Sequence, residues 1–206
     1  MNLDIIISKL WSLPGIILGL SLHEFAHAWM SDRLGDPTPR RQGRLTINPL
    51  AHIDPIGFLA LLLVGFGWGR PVMIDPTYYR HRRRDEFLVG IAGVTMNLIL
   101  AVILSFPAKA LLRVYYASSS TLTESLFMII YYAVMINIVL MVFNLIPVPP
   151  LDGWGILTQL FRLDRYQWWY KVYQYGTYIL LGLIILNITD LILTPLVTLM
   201  MRILGF

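Results

Sequence analysis

An uncharged apolar run from Leu10 to Leu22 ends, without a break, in His23-Glu24-Phe25-Ala26-His27. The apolar run must be buried, and the three ionisable groups that end it must find partners. On a helix, residues four apart project from one face, a single turn from each other. Two imidazoles at that spacing can grip one zinc ion, and Glu24, beside the first, can reach a metal-held water as general base. A polar helix can carry the same string by chance as two surface histidines and a surface carboxylate. Here the flanking run is uncharged, and ionisable groups in a hydrophobic segment are expensive and mark function by default.

Further uncharged stretches at 87–108 and 125–151 extend the pattern. Across 206 residues, 57% are hydrophobic and 14% charged, whereas soluble domains carry about a quarter charged residues. Together these features predict an all-α integral membrane protein forming a single domain over 1–206. About five transmembrane helices are expected: 3–30, 87–108, 125–151, 172–189 and 191–206, the last kinked at Pro195. The third runs into Pro147, Pro149 and Pro150, predicting a broken helix that carries Asp152-Gly153. The stretch 55–69, interrupted by Gly57, Gly65, Gly67 and Gly69, is short for a crossing of ~30 Å and suits a re-entrant segment. Residues 43–47 and 68–74 look extended, giving this region a β-hairpin-like character.

Charge placement sets the orientation. If 55–69 returns to the side it left, the loops 31–54, 70–86 and 152–171 share one face and hold twelve of the sixteen Lys and Arg residues. The opposite face keeps Lys9, Lys109 and Arg113. That asymmetry marks the rich face as cytoplasmic, with the N-terminus outside. The net charge of +4 is then explained by orientation and anionic headgroups of the lipid bilayer, which leaves no case for nucleic acid. Cysteine is absent, so disulfides, thiolate metal sites and cysteine nucleophiles are excluded. The start lacks the basic region of a secretory signal, so residue 1 onward is read as mature protein.

A catalytic zinc keeps three protein ligands and an open position. Asp4, Glu124 and Asp190 fall toward the wrong face. Asp32 and Asp36 are too close along the same helix end, and Asp75, Asp85, Glu86 and Asp164 sit beside arginines. Asp152 remains. The first and third spans run the same way, so their ends meet at a similar depth. Taken alone, Asp152 reads as the N-cap of a helix over 153–161; with the histidine pair in view it reads as the third ligand. His52 is expected to hydrogen-bond a ligand or fix its loop. Asn97 and Asn144 lie in apolar spans where an unpaired amide is costly, so they either bond helices together or orient substrate.

These residues together resemble the site-2 protease family of intramembrane zinc metalloproteases. His23 to His27 matches its first motif, and Asn144 to Gly153 matches its N-x-x-P-x-x-x-L-D-G pattern. Ala92 to Asn97 is similar to its G-P-x-x-N motif, with Val94 where proline is usual. The Asn48-Pro-x-x-His52-Ile-Asp loop is similar to that of compact prokaryotic members, and no PDZ insertion is present. The resemblance implies a protease of a prokaryotic cell membrane, its active site toward the cytoplasm. One catalytic Zn2+ would sit on His23, His27 and Asp152, with a transmembrane protein as substrate. The residues 65–74 and 43–47 could hold an unwound peptide by strand addition. The rival expectation is a non-hydrolytic zinc-binding membrane protein, either an inactive relative or a transporter. The outer halves of the spans offer such a transporter almost no ionisable residues, and Glu24 is retained.

Overall fold

The computed structural model describes residues 3–64, 67–118 and 120–206. Those residues are helical and connecting chain. In order they form α1 (Leu3–Arg33), α2 (Thr38–Arg41), α3 (Pro55–Val64), α4 (Arg82–Ser118), α5 (Thr121–Asn144), α6 (Asp152–Phe161), α7 (Gln167–Ile185) and α8 (Ile188–Ile203). The centre is a three-helix unit in which α1 packs on both α4 and α5, which also pack on each other. Helix α6 lies against α4 and α8 against α5. Fully buried Ala101, Ala108, Val134 and Ile138 form part of the shared core.

Small residues set how closely α1 and α5 approach. A Cβ on Gly15 would stand 2.6 Å from the Ala133 Cα, and one on Gly19 would stand 3.1 Å from Asn137 Oδ1. Gly15 and Gly19 on one helix therefore face Ala133 and Asn137 on the other. This is the small-residue spacing by which membrane helices pack without a hydrophobic driving force.

Among the described residues, two helices are long and apolar enough to cross a membrane, Arg82–Ala117 within α4 and Thr121–Asn144. Helices α7 and α8 add a third span if the pair, bent by 74°, is taken as one. Neither α7 nor α8 meets that length and hydropathy measure by itself, so the expected 172–189 and 191–206 do not each stand as a crossing on it. At 19 and 16 residues, α7 and α8 reach only about 28 and 24 Å. The break also falls elsewhere than Pro195, which lies inside α8. It falls at Leu186–Asn187, where Asn187 adopts the left-handed conformation (φ 55°) that asparagine tolerates better than most residues.

The expected re-entrant stretch is the ten-residue α3, too short to cross. Gly65 and Phe66 lie outside the described residues. Beyond them the chain comes back to its starting point: Ile53 and Gly69 form an antiparallel bridge, and the Arg70 N–H donates to His52 O at 2.7 Å. A Cβ on Gly57 would collide with Trp68 O, so the returning chain presses directly on α3. The hairpin-like reading needs correction, because neither 43–47 nor 68–74 forms a strand. One bridge is the whole ladder among the described residues; the Gly43 and Arg44 N–H groups donate to Arg40 O and Pro39 O, and the Val72 N–H to Glu24.

Candidate metal centre

Helix α1 brings His23 and His27 to one face, and the turn at 145–151 carries Asp152 up to them. The chain leaves α5 at Asn144, bends through Pro147, Pro149 and Pro150, and re-enters helix at Asp152. Gly153 is needed there for closeness. A Cβ would collide with Leu145 O and stand 2.7 Å from Ile146 O, while its φ is not in the left-handed region. Glycine is thus required at 153 for close approach and not for a left-handed backbone.

His23 Nε2 and His27 Nε2 are 3.0 Å apart, and Asp152 Oδ2 lies 3.2 Å from the first and 3.3 Å from the second. An ion with bonds of about 2.0–2.1 Å in a tetrahedral site sets its ligand atoms about 3.3–3.4 Å apart. The spacing matches within a few tenths of an ångström. Among the described residues these are the one group of three that could share a metal ion.

The protons of the imidazoles settle what the three atoms can do. His27 Nδ1 lies 2.8 Å from the Val89 carbonyl, which only accepts, so Nδ1 carries the proton. His23 Nδ1 lies 2.6 Å from Asn97 Oδ1. The Asn97 Nδ2 hydrogens are both committed, to Gly19 O at 3.2 Å and Asn137 Oδ1 at 3.0 Å. The oxygen therefore faces the histidine and the His23 proton is again on Nδ1. In those tautomers each Nε2 is free to accept, and both face one another and Asp152 Oδ2, a buried oxygen without a hydrogen-bond donor. Two imidazole nitrogens and a carboxylate oxygen converging this closely are a donor set that fits a cation. N-capping does not explain Asp152, because Leu151 is the cap residue and no side-chain cap bond forms.

Gly93 on α4 faces this point. A Cβ there would collide with His27 Nε2 and stand 2.6 Å from His23 Nε2. Glu24 Oε2 accepts from the Val72 N–H at 3.0 Å. No hydrogen bond occupies Oε1 among the described residues.

The other candidates divide. Asn97 is fully buried and touches His23 directly. Asn144 donates to Leu140 O on its own helix at 2.9 Å and is not brought to the histidines. His52 is fully buried and its Nε2 bonds Thr46 O at 2.7 Å, so it fixes the loop. Asn137, not a sequence candidate, is fully buried beside Asn97; an amide in the uncharged run 125–151 was the available signal. The expected arginine partners hold for Asp85 and Glu86, which pair with Arg84 and Arg82. Asp36 instead accepts from Ser31 Oγ, the Thr38 N–H and the Asp75 N–H, each at 2.8 Å.

Fold and site define a helical membrane protein in which two histidines and one aspartate could hold a metal ion. Known proteins bear on which one. The family model described as Peptidase family M50 matches residues 108–186, a range that includes Asn144 to Gly153. The chain is 41% identical over 149 residues to YwhC of Bacillus subtilis, named as a candidate zinc metalloprotease, covering 70% of this chain and 66% of YwhC. It is 31% identical over 150 residues to Rip2 of Mycolicibacterium smegmatis, which carries the same description, covering 70% of this chain. Rip2 of Mycobacterium tuberculosis is 30% identical over 151 residues. The chain spans 55% of the length of these Rip2 proteins. No solved structure matches it. The chain belongs to peptidase family M50, the site-2 protease family.

Proposed function

We propose that this chain is an intramembrane zinc metalloprotease that cuts peptide bonds in or near transmembrane segments of membrane proteins. The observation that carries the reading is the meeting of His23 Nε2, His27 Nε2 and Asp152 Oδ2 within 3.3 Å of one another. These atoms would hold one zinc ion, which supplies Lewis acidity to a peptide carbonyl and to the attacking water. Val89 O and Asn97 Oδ1 hold the two imidazoles in the ligating tautomer. Glu24, one residue from His23, takes the proton of the attacking water and returns it to the leaving amine. The absence of a side chain at Gly93 keeps α4 clear of the two Nε2 atoms.

The membrane reading goes with this. Helix α1, at 31 residues, is about 46 Å long and crosses alongside α4 and α5. The basic loops face the cytoplasm, and the metal centre lies toward that side, where water reaches it. A transmembrane substrate helix must unwind before cleavage, since its carbonyls are already hydrogen-bonded. The extended chain at 68–75, whose Val72 touches Glu24, is where the unwound peptide would lie.

Purified protein in detergent, given a labelled single-span substrate, is expected to cut it. Glu24→Gln is expected to bind zinc and to lose about 10²–10⁴ in rate, the usual contribution of a positioned general base. Turnover by that variant equal to wild type would remove Glu24 from its role.

A further inference from the structure

Helix α5 supplies no ligand to the metal centre, yet one of its side chains reaches toward it. Asn137 is fully buried. Its Nδ2 donates to Ala133 O at 2.8 Å, and its Oδ1 accepts from Asn97 Nδ2 at 3.0 Å. Asn97 Oδ1 in turn meets His23 Nδ1 at 2.6 Å. The chain thus runs from a backbone carbonyl through two amides to an imidazole, and each link has only one allowed direction.

The first link decides the rest. Ala133 O only accepts, so Asn137 must present nitrogen to it and oxygen to Asn97. Asn97 must then turn its nitrogen to Asn137 and to Gly19 O, leaving oxygen for His23. A reversed Asn97 would set its oxygen against two other acceptors in an apolar bundle with no water to relieve them. It would also donate to His23 Nδ1, moving the imidazole proton to Nε2, where it blocks ligation. We propose that Asn137 is a positioning residue for the metal centre, holding the Asn97 amide in the sense that keeps the His23 Nε2 lone pair free. The close α1–α5 approach at Gly15 and Gly19 makes the relay possible, since bulkier residues there would hold α5 away.

The inference rests on the reading of His23, His27 and Asp152 as zinc ligands. Its test uses the full chain in detergent, stripped with a chelator, with zinc affinity measured by competition against a chromophoric chelator and helicity followed by circular dichroism. Asn137→Leu keeps the volume and is expected to weaken zinc binding 10–100-fold at unchanged helicity, the usual scale for a residue behind a ligand. Asn137→Asp, held neutral by burial in this apolar site, donates its hydroxyl to Ala133 O, keeps the acceptor for Asn97 and is expected to stay near wild type. In an Asn97→Ala background, Asn137→Leu should cost nothing further, because the relay is already cut. If Asn137→Leu does not fold, Asn137→Ser is read in its place: its hydroxyl can bond Ala133 O but is too short to reach Asn97. Wild-type zinc affinity in the Leu or Ser variant overturns the proposal, as does an equal loss with and without Asn97. A wild-type chain that binds no zinc overturns the ligand reading instead.

Discussion

The Val72 N–H donates to Glu24 Oε2 across 48 residues of chain, at 3.0 Å. One oxygen of the proposed base is thereby aimed by the extended segment that returns from α3, while the other stays free. The segment itself is pinned at either end, by Arg70 N–H on His52 O and by Asp75 N–H on Asp36 Oδ2. Val72→Pro removes the donor without altering an extended backbone. Misplacement of a reacting group by about 1 Å can cost about 10²-fold, so turnover should fall by up to that factor at unchanged zinc content. Val72→Ala, which keeps the N–H, should behave as wild type; steady-state kinetics with metal analysis decides.

Gly93 and Gly155 make a matched pair. Both lie in helices, but a Cβ on Gly93 would run into both imidazoles, whereas one on Gly155 would meet nothing within 4 Å. Gly93→Ala should abolish or sharply weaken zinc binding. Gly155→Ala should leave zinc binding intact and stabilise α6 by up to ~1 kcal/mol. Metal titration and thermal melts of the two variants give the comparison.

Gly15→Val places branched carbon where the Ala133 backbone already sits, at 2.6 Å from a bare Cβ. Overpacking of this kind costs ~1–3 kcal/mol. A lower melting temperature in detergent is expected.

The loop that follows α1 should carry a pH signature of its own. Burial pushes the Asp36 carboxyl up, but hydrogen bonds from Thr38, Asp75 and Ser31 outweigh it and hold it below the ordinary value of 3.8. A carboxyl depressed in the fold contributes stability above its unfolded pKa and loses it as pH falls through the folded one. Acid sensitivity should therefore set in below pH 3.8 and be reduced in Asp36→Asn. On the same Ser31 hydroxyl, burial pushes the Tyr79 phenol up to about 12. That contribution is complete below the ordinary value of 10.0 and fades as pH rises through about 12. Tyr79→Phe should flatten the alkaline limb. Melting temperature against pH checks both.

The histidine pair was legible because four-residue spacing on a helix leaves one geometry. Asp152 was reachable by elimination, because few carboxylates in this chain lack another use. Asn97 stood out as an amide without water in an apolar span. Asn137 meets that criterion equally, but its importance lies in its Asn97 contact, and a helix sequence does not reveal which residue of a neighbouring helix it faces. Gly15 and Gly19 display a recognisable spacing whose partner surface is likewise unspecified. Strand character at 43–47 and 68–74 was over-read because β-branched residues report an extended backbone, while a strand also needs a neighbour in register. The bend at Asn187 escaped notice because proline draws attention, yet Pro195 stays inside its helix.

The polar turn between α5 and α6 also ties separate helices together. Helix α6 packs on α4, and its first residue meets α1 through the Asp152 contacts with two imidazoles. A cation held at that point would add a joint between α1 and the α5–α6 turn, so its removal should loosen both at once.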